Sequence, residues 1–143
     1  MVALIDTNVL IDALAHRTPF DKEAKEILKK CYEKKVTGFT AAHSFTNMFY
    51  ILRKLYSLDD MKLLLLNLSK IIKIIKIDEE LITSSLKNSL FSDVEDCLQA
   101  ECAKIANADY IITRNANDFA NSRIKAISPT EFLEIYGKAK NEQ

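Results

Sequence analysis

Two glycines and two prolines are all that the 143 residues contain of the strongest structure breakers. Collagen-like, low-complexity and disordered chains need far more Gly, Pro or polar residue, so they are excluded in favour of a helix-rich globular protein. Cysteine is scarce too. Cys31, Cys97 and Cys102 are odd in number and lack Cys-x-x-Cys spacing, which argues against a disulfide scaffold and suits buried thiols in a reducing cytoplasm. Long apolar runs are missing: none, the leucine run at 63–66 included, exceeds five residues, far short of the roughly 20 that span a bilayer. No charged segment followed by an apolar stretch opens the sequence, so neither a targeting signal nor a membrane is expected.

An excess of one charge is also lacking. Lys and Arg number 20, as do Asp and Glu. A net charge of zero argues against coating nucleic acid by bulk electrostatics, since affinity for a polyanion comes from neutralised phosphates, but it leaves a local site open. The balance hides an asymmetry, because residues 1–76 carry 13 basic against 8 acidic side chains and residues 77–143 carry 7 against 12.

What is present is apolar patterning in 48% of the residues, enough for one core. One domain over 1–137 followed by a polar tail, 138–143, is expected. Val2, Ala3, Leu4 and Ile5 form a continuous apolar run, as in a strand buried on both faces. Strands are also expected at 37–40, 71–77 and 110–113, with an edge strand at 124–127. Between them, apolar residues recur at helical spacing: Ala24, Ile27, Leu28, Cys31 and Tyr32, then Phe45, Met48, Phe49, Leu52 and Tyr56, then Val94, Cys97, Leu98, Cys102 and Ile105. Alternating strands and helices predict an α/β fold with a mainly parallel sheet of four to five strands, flanked by helices on both faces.

Open sheets of this kind hold ligands outside the carboxyl ends of their strands. Asp6 follows the first strand, Asn115 and Asp118 follow the strand at 110–113, and Asp93, Glu95 and Asp96 open the preceding helix. If the sheet winds in the usual sense, these segments converge, and clustered carboxylates repel unless a cation neutralises them. His16 and His43 have no zinc-ligand spacing, so the donors are oxygens suited to Mg²⁺ or Mn²⁺. A metal-bound water attacking a phosphodiester is the reaction such a site can run without a Ser, Cys or His nucleophile. Each residue also has a structural role open to it. Asp93 and Asp96 have the spacing of an N-cap and its partner, Asp6 can cap the helix after it, and Asn117-Asp118 is a turn pair. Asn47 shares a helix face with Ser44, where a polar residue is ordinarily solvated or bonded to a neighbour, and Cys97 and Cys102 are expected in the core.

Three stretches, I-D-T-N-V-L at 5–10, D-V-E-D-C-L-Q-A at 93–100 and T-R-N-A-N-D-F at 113–119, resemble the PIN domain, in particular the single-domain VapC-like proteins, in order and separation along nearly the whole chain. The resemblance implies a three-layer PIN-like fold and a Mg²⁺- or Mn²⁺-dependent ribonuclease, usually a homodimer and often the toxin of a toxin–antitoxin pair. It carries metal binding and catalysis to Asp6, Asp93 and Asp96, and supporting roles to Ser44, Asn47, Thr113, Asn115 and Asp118. Two positions depart from the pattern. The helix-borne glutamate of the family is Asn47 here, with no Asp or Glu between Glu33 and Asp59 to replace it, and Asn115 stands where an aspartate is common. Both exchanges remove charge, weaken the expected hold on Mg²⁺ and favour one metal over two.

The leading expectation is a metal-dependent endoribonuclease acting as the toxin of a type II toxin–antitoxin system. The alternative is a catalytically weak or inactive RNA-binding or partner-binding relative, motivated by Asn47 and Asn115. A receiver-like aspartyl phosphotransferase ranks last, because Asp6-Thr7-Asn8 lacks the second acid of an Asp-x-Asp motif. For partners, the apolar excess over 45–68 suits a dimer interface or a groove for an antitoxin helix. The lysines over 22–35, with Arg53 and Lys54, are expected to line the RNA backbone, and Asp109 is expected near the metal segments.

Overall fold

The computed structural model describes residues 1–142. Its elements run β1 (Val2–Ile5), α1 (Thr7–Leu14), α2 (Asp21–Tyr32), β2 (Thr37–Ala41), α3 (Ala42–Leu52), α4 (Leu58–Ile71), β3 (Lys73–Ile75), α5 (Glu79–Lys87), α6 (Val94–Ile105), β4 (Tyr110–Ile112), a 3₁₀ turn (Ala116–Phe119), β5 (Ala126–Ile127) and α7 (Pro129–Asn141). The five strands form one parallel sheet in the order β3-β2-β1-β4-β5. The α/β class and the parallel sheet are those expected from the sequence.

The continuous apolar strands follow from burial on both faces. In β1, Ala3 and Ile5 enter a core beneath α1, α2, α3, α4 and α7, whereas Leu4 points to the opposite face and packs with Ala100, Cys102 and Ala103 of α6. Side chains alternate across a strand, so one run feeds two cores. All three cysteines are buried and unpaired, and burial pushes the Cys31 and Cys102 thiols up to about 12, leaving them protonated and inert. Among the described residues no helix is long and apolar enough to cross a membrane.

Capping sets most helix starts. Ser57, Asp78, Asp93 and Ser128 each accept a hydrogen bond from the backbone N–H three residues on, at 3.2, 2.9, 3.1 and 3.1 Å. With glycine so scarce, the left-handed position two residues beyond α1, α2 and α6 falls to His16, Lys34 and Asn107, at φ 53°, 60° and 50°. Gly38 is spent elsewhere: a Cβ there would lie 2.7 Å from Ile72 Cδ1 and 2.9 Å from Cys31 Sγ, so a side chain at this β2 position would have to displace both.

Several boundaries differ from the sequence expectation. The β-branched stretch 71–77 contributes only Lys73–Ile75 to the sheet, because Ile71 completes α4 and Ile72 caps it with its side chain in the core. The edge strand shrinks to two residues, and α7 continues to Asn141, past the boundary drawn at 137, with Lys138 and Lys140 in its last turn complementing the helix dipole.

Topology moves the end of the lysine-rich stretch, and Asp109, away from the places expected for them. α2 runs into β2, so its lysine-rich end lies at the amino edge of the sheet, opposite the carboxyl ends where Asp6 sits, and Lys25, Lys30 and Lys35 pair with Asp21, Glu26 and Glu33. Asp109 precedes β4 at the same amino edge, where its Oδ2 accepts the Val2 N–H at 2.8 Å.

Candidate active site

In the order 3-2-1-4-5 the chain winds outward from β1 through β3 and then returns to β4 on the other side of β1. β1 and β4 therefore flank the switch point, and the residues just beyond them face one another. Ile5 pairs with Ile112, and the Asp6 N–H extends the ladder to the Ile112 carbonyl at 3.0 Å. This register sets Asp6 beside Thr113.

Asp6 stands at the N-cap position of α1, yet its side chain makes no capping bond. Its carboxylate turns inward, with the residue only 5% exposed, and accepts from Thr113 Oγ1 at 2.8 Å and Gln99 Nε2 at 3.1 Å. A buried carboxylate needs such donors, each worth about 1.5–3 kcal/mol to a charged acceptor. Thr113 Oγ1 in turn accepts the Asn115 N–H at 3.1 Å, which ties the loop after β4 to the same carboxylate.

α6 brings the second group. Asp93 caps the helix through Oδ1, the structural role open to it from spacing, and its other oxygen has no protein partner among the described residues. Asp96, one turn on, is half-buried, and its carboxyl is pushed up to about 7 by burial first and then by the charges of Asp93, Asp118, Asp6 and Glu95. Carboxylates from β1, from α6 and from the turn after β4 thus lie within electrostatic reach of one carboxyl group.

Other expected residues sit less centrally. Ser44 is fully buried with its hydroxyl 2.7 Å from Thr7 Oγ1, bracing α3 against α1. Asn47 Nδ2 donates to Glu95 Oε1 at 3.1 Å. The Asn115 and Asp118 side chains are exposed at the rim.

Four residues of this neighbourhood were not singled out for a site role by motif reasoning. Gln99 is 2% exposed, holds Asp6 through Nε2, and its Oε1 has no partner. His43 has both ring nitrogens buried without a hydrogen bond, lies 3.7 Å from Glu95 Oε1, and is kept neutral by burial against the pull of Glu95 and Asp6. The remaining two form a half-buried pair: Arg114 grips Asp12, which is 1% exposed, through Nε at 2.7 Å and Nη2 at 3.1 Å. Helical spacing held the signal for the first two, since Gln99 follows Asp96 by three and His43 precedes Asn47 by four.

The donor set is oxygen throughout, its negative charges repel, and an orphaned amide oxygen lies among them, so hard-cation chemistry fits these residues. Among the described residues no three His, Cys, Asp or Glu side chains converge closely enough to ligate one ion, so the fit is one of donor type and charge.

No curated protein matches the sequence. Solved structures do resemble the fold. A toxin–antitoxin complex from Klebsiella pneumoniae superposes with a TM-score of 0.66 at 23% identity, covering 89% of this chain and 97% of that one. VapBC2 from Rickettsia felis, bound to a promoter DNA fragment, gives 0.61 at 18% over 90% and 98%. FitAcB from Neisseria gonorrhoeae gives 0.63 at 19% over 91% and 99%. At these identities the likeness speaks for the fold. The sequence itself matches the PIN domain model over residues 2–117, which takes in the first two motifs, the first five residues of the third and the switch point with Asp6, Asp96 and Thr113, and the chain belongs to the PIN domain family.

Proposed function

We propose that the protein is a divalent-metal-dependent endoribonuclease and the toxin of a type II toxin–antitoxin pair. The observation that carries this reading is Asp6: an N-cap residue whose carboxylate leaves its helix, is buried and clamped by Thr113 and Gln99, and faces the crowded carboxyl of Asp96 at the switch point. A structural acid would cap its helix and remain solvated. Asp6, Asp93 and Asp96 would hold Mg²⁺ or Mn²⁺, which when bound would neutralise their repulsion and lower the pKa of an attacking water. Thr113 and Gln99 fix the Asp6 carboxylate so that it need not reorganise, and Asn115 and Asp118 border the opening.

RNA as the substrate is supported by a shelf beside the site. The Arg114 guanidinium lies 4.0 Å from the Phe20 ring centroid, and Phe20 is 44% exposed, in a cleft with Asn115, Pro19 and Thr130. A flat aromatic and guanidinium surface suits a stacked base of single-stranded RNA. An antitoxin helix and a second copy of the chain would compete for, or share, the apolar side chains exposed on and between α3 and α4, namely Phe49, Tyr50, Leu55, Leu58, Leu63 and Leu66. One solved structure with this fold, from Klebsiella pneumoniae, is a toxin–antitoxin complex.

The test is cleavage of single-stranded RNA by the purified protein with Mn²⁺, with Asp6→Asn and an EDTA arm beside it. Activity lost in both arms supports the proposal; equal activity of Asp6→Asn removes this site from the reaction. Amides at Asn47 and Asn115 favour a second reading, an RNA- or partner-binding protein without turnover, and RNA retention with no EDTA-sensitive cleavage would establish it.

A further inference from the structure

The shelf beside the site carries one acid. Glu23, in the first turn of α2, lines the same cleft as Phe20, Arg114 and Asn115, an opening of about 470 Å³ with room for a nucleotide. Its Oε1 accepts from Thr130 Oγ1 of α7 at 2.9 Å, so a contact between two helices anchors the carboxylate in the wall of the cleft. Its Oε2 has no protein partner among the described residues.

The helix dipole and the tie to α7 account for an acid at this position, but not for its company. Arg114 is fixed by the bidentate bond to Asp12 at 2.7 and 3.1 Å and by the Phe20 ring, 4.0 Å away, so the wall these two side chains make is rigid. Asp12 also matches the charge of Arg114, the one cation lining the cleft. With that cation paired and the remaining charge negative, the cleft repels phosphate, and what a single-stranded RNA can place in it is a base. The position suits one close to the reacting bond. Asn115 donates its N–H to Thr113 Oγ1 at 3.1 Å, and Thr113 holds Asp6 Oδ2 at 2.8 Å, so the cleft opens two hydrogen bonds from the Asp6 carboxylate.

A carboxylate only accepts hydrogen bonds, so it selects among bases by their donors. The Watson–Crick edge of guanine presents two adjacent N–H donors, on N1 and N2, which match the two oxygens of one carboxylate. Adenine and cytosine set an acceptor nitrogen beside their amino group, and uracil flanks its N–H with two carbonyls, so each turns a lone pair toward the acid. We infer that the cleft is a guanine pocket: an unpaired guanine of the RNA stacks on the wall of Phe20 and Arg114 and gives its N1–H and N2–H to Glu23, which Thr130 holds in place. Glu23 then sets the base preference, while Phe20 supplies affinity that any base can use. This inference rests on the RNA-cleaving reading given under Proposed function.

Binding of single-stranded RNA in EDTA tests it, with uridine heptamers carrying one central guanosine, adenosine, cytidine or inosine beside the all-uridine strand. Each is titrated into the purified chain by fluorescence anisotropy, and every variant is first checked for a wild-type melt. The guanosine strand should bind about 10- to 100-fold more tightly than the adenosine, cytidine and all-uridine strands. Inosine, which keeps N1–H and lacks the N2 amino group, should fall between. Glu23→Gln still accepts from Thr130 but removes the carboxylate, and should erase the guanosine preference without weakening the all-uridine strand. Phe20→Ala should weaken every strand alike, about tenfold. A guanosine preference kept in Glu23→Gln would overturn the inference, as would equal binding of the four natural strands by the wild type; Mn²⁺-dependent cleavage in either case leaves the ribonuclease reading standing. No binding of any strand together with no cleavage would overturn both.

Discussion

Replacing Asp96 by Asn should make the metal-free protein more stable at neutral and alkaline pH, although the residue belongs to the proposed site. The folded carboxyl is pushed from 3.8 to about 7 by burial and then by Asp93, Asp118, Asp6 and Glu95. Because the folded pKa lies above the unfolded one, the native state holds the proton longer, and stability falls as pH rises from about 4 to about 7, then stays level. Taken in full, a shift of about three units corresponds to about 4 kcal/mol. Asp96 is only half-buried, so solvent screening reduces the real cost to about 1–2 kcal/mol. An acid in the first turn of α6 also gains about 0.3–1 kcal/mol from the helix dipole, which Asn forfeits. The repulsion wins by a small margin, and Asp96→Asn should gain about 1 kcal/mol at pH 8 and nothing at pH 4. Urea unfolding of both proteins in EDTA at the two pH values measures this directly. Parallel pH profiles, or a variant less stable at pH 8, would refute the picture of a carboxyl crowded by its neighbours.

Three further substitutions probe the scaffold, two beside the site and one at the far edge of the sheet. Thr113→Val keeps the shape but removes the donor to Asp6 Oδ2, and should cost about 1.5–3 kcal/mol in urea unfolding, with Thr113→Ser close to wild type. Arg114→Met strips the bidentate partner from buried Asp12; with Arg114 partly exposed and Arg17 still 3.9 Å away, the loss should be about 2 kcal/mol, and the double variant Asp12→Leu/Arg114→Met should recover much of it in a double-mutant cycle. Lys34→Gly relieves a left-handed backbone at φ 60° and should raise stability by about 0.5–1 kcal/mol, seen as a higher melting temperature.

Much of the fold was legible in the sequence because its causes are local. The apolar run of β1, the 3.6-residue stripe from Cys97 to Cys102 and the capping pair Asp93 and Asp96 lie within a few residues of one another, and period and capping chemistry fix them with little help from the rest of the chain. Where neighbouring elements compete, local signals fail. Ile71 and Ile72 carry a strand's residue type, but α4 continues through the first, and the core needs the second at the helix end.

The candidate acids were legible as well, since an acid after a buried strand and acids opening a helix stand out from their surroundings. Their partners were not. Thr113 lies 107 residues from Asp6 and Gln99 lies 93, and Glu95 meets Asn47 across 48. The sequence by itself determined the strands, the helices and which carboxylates were available. Strand order and register decided the rest: they set Asp6 against Thr113, turned Glu95 toward α3, and sent Asp109 and the lysines at the end of α2 to the opposite edge of the sheet. The reason is geometric. Side chains alternate with a period of two along a strand, so a one-residue slip between β1 and β4 would turn the site into the core, and that register is fixed only when both cores pack at once.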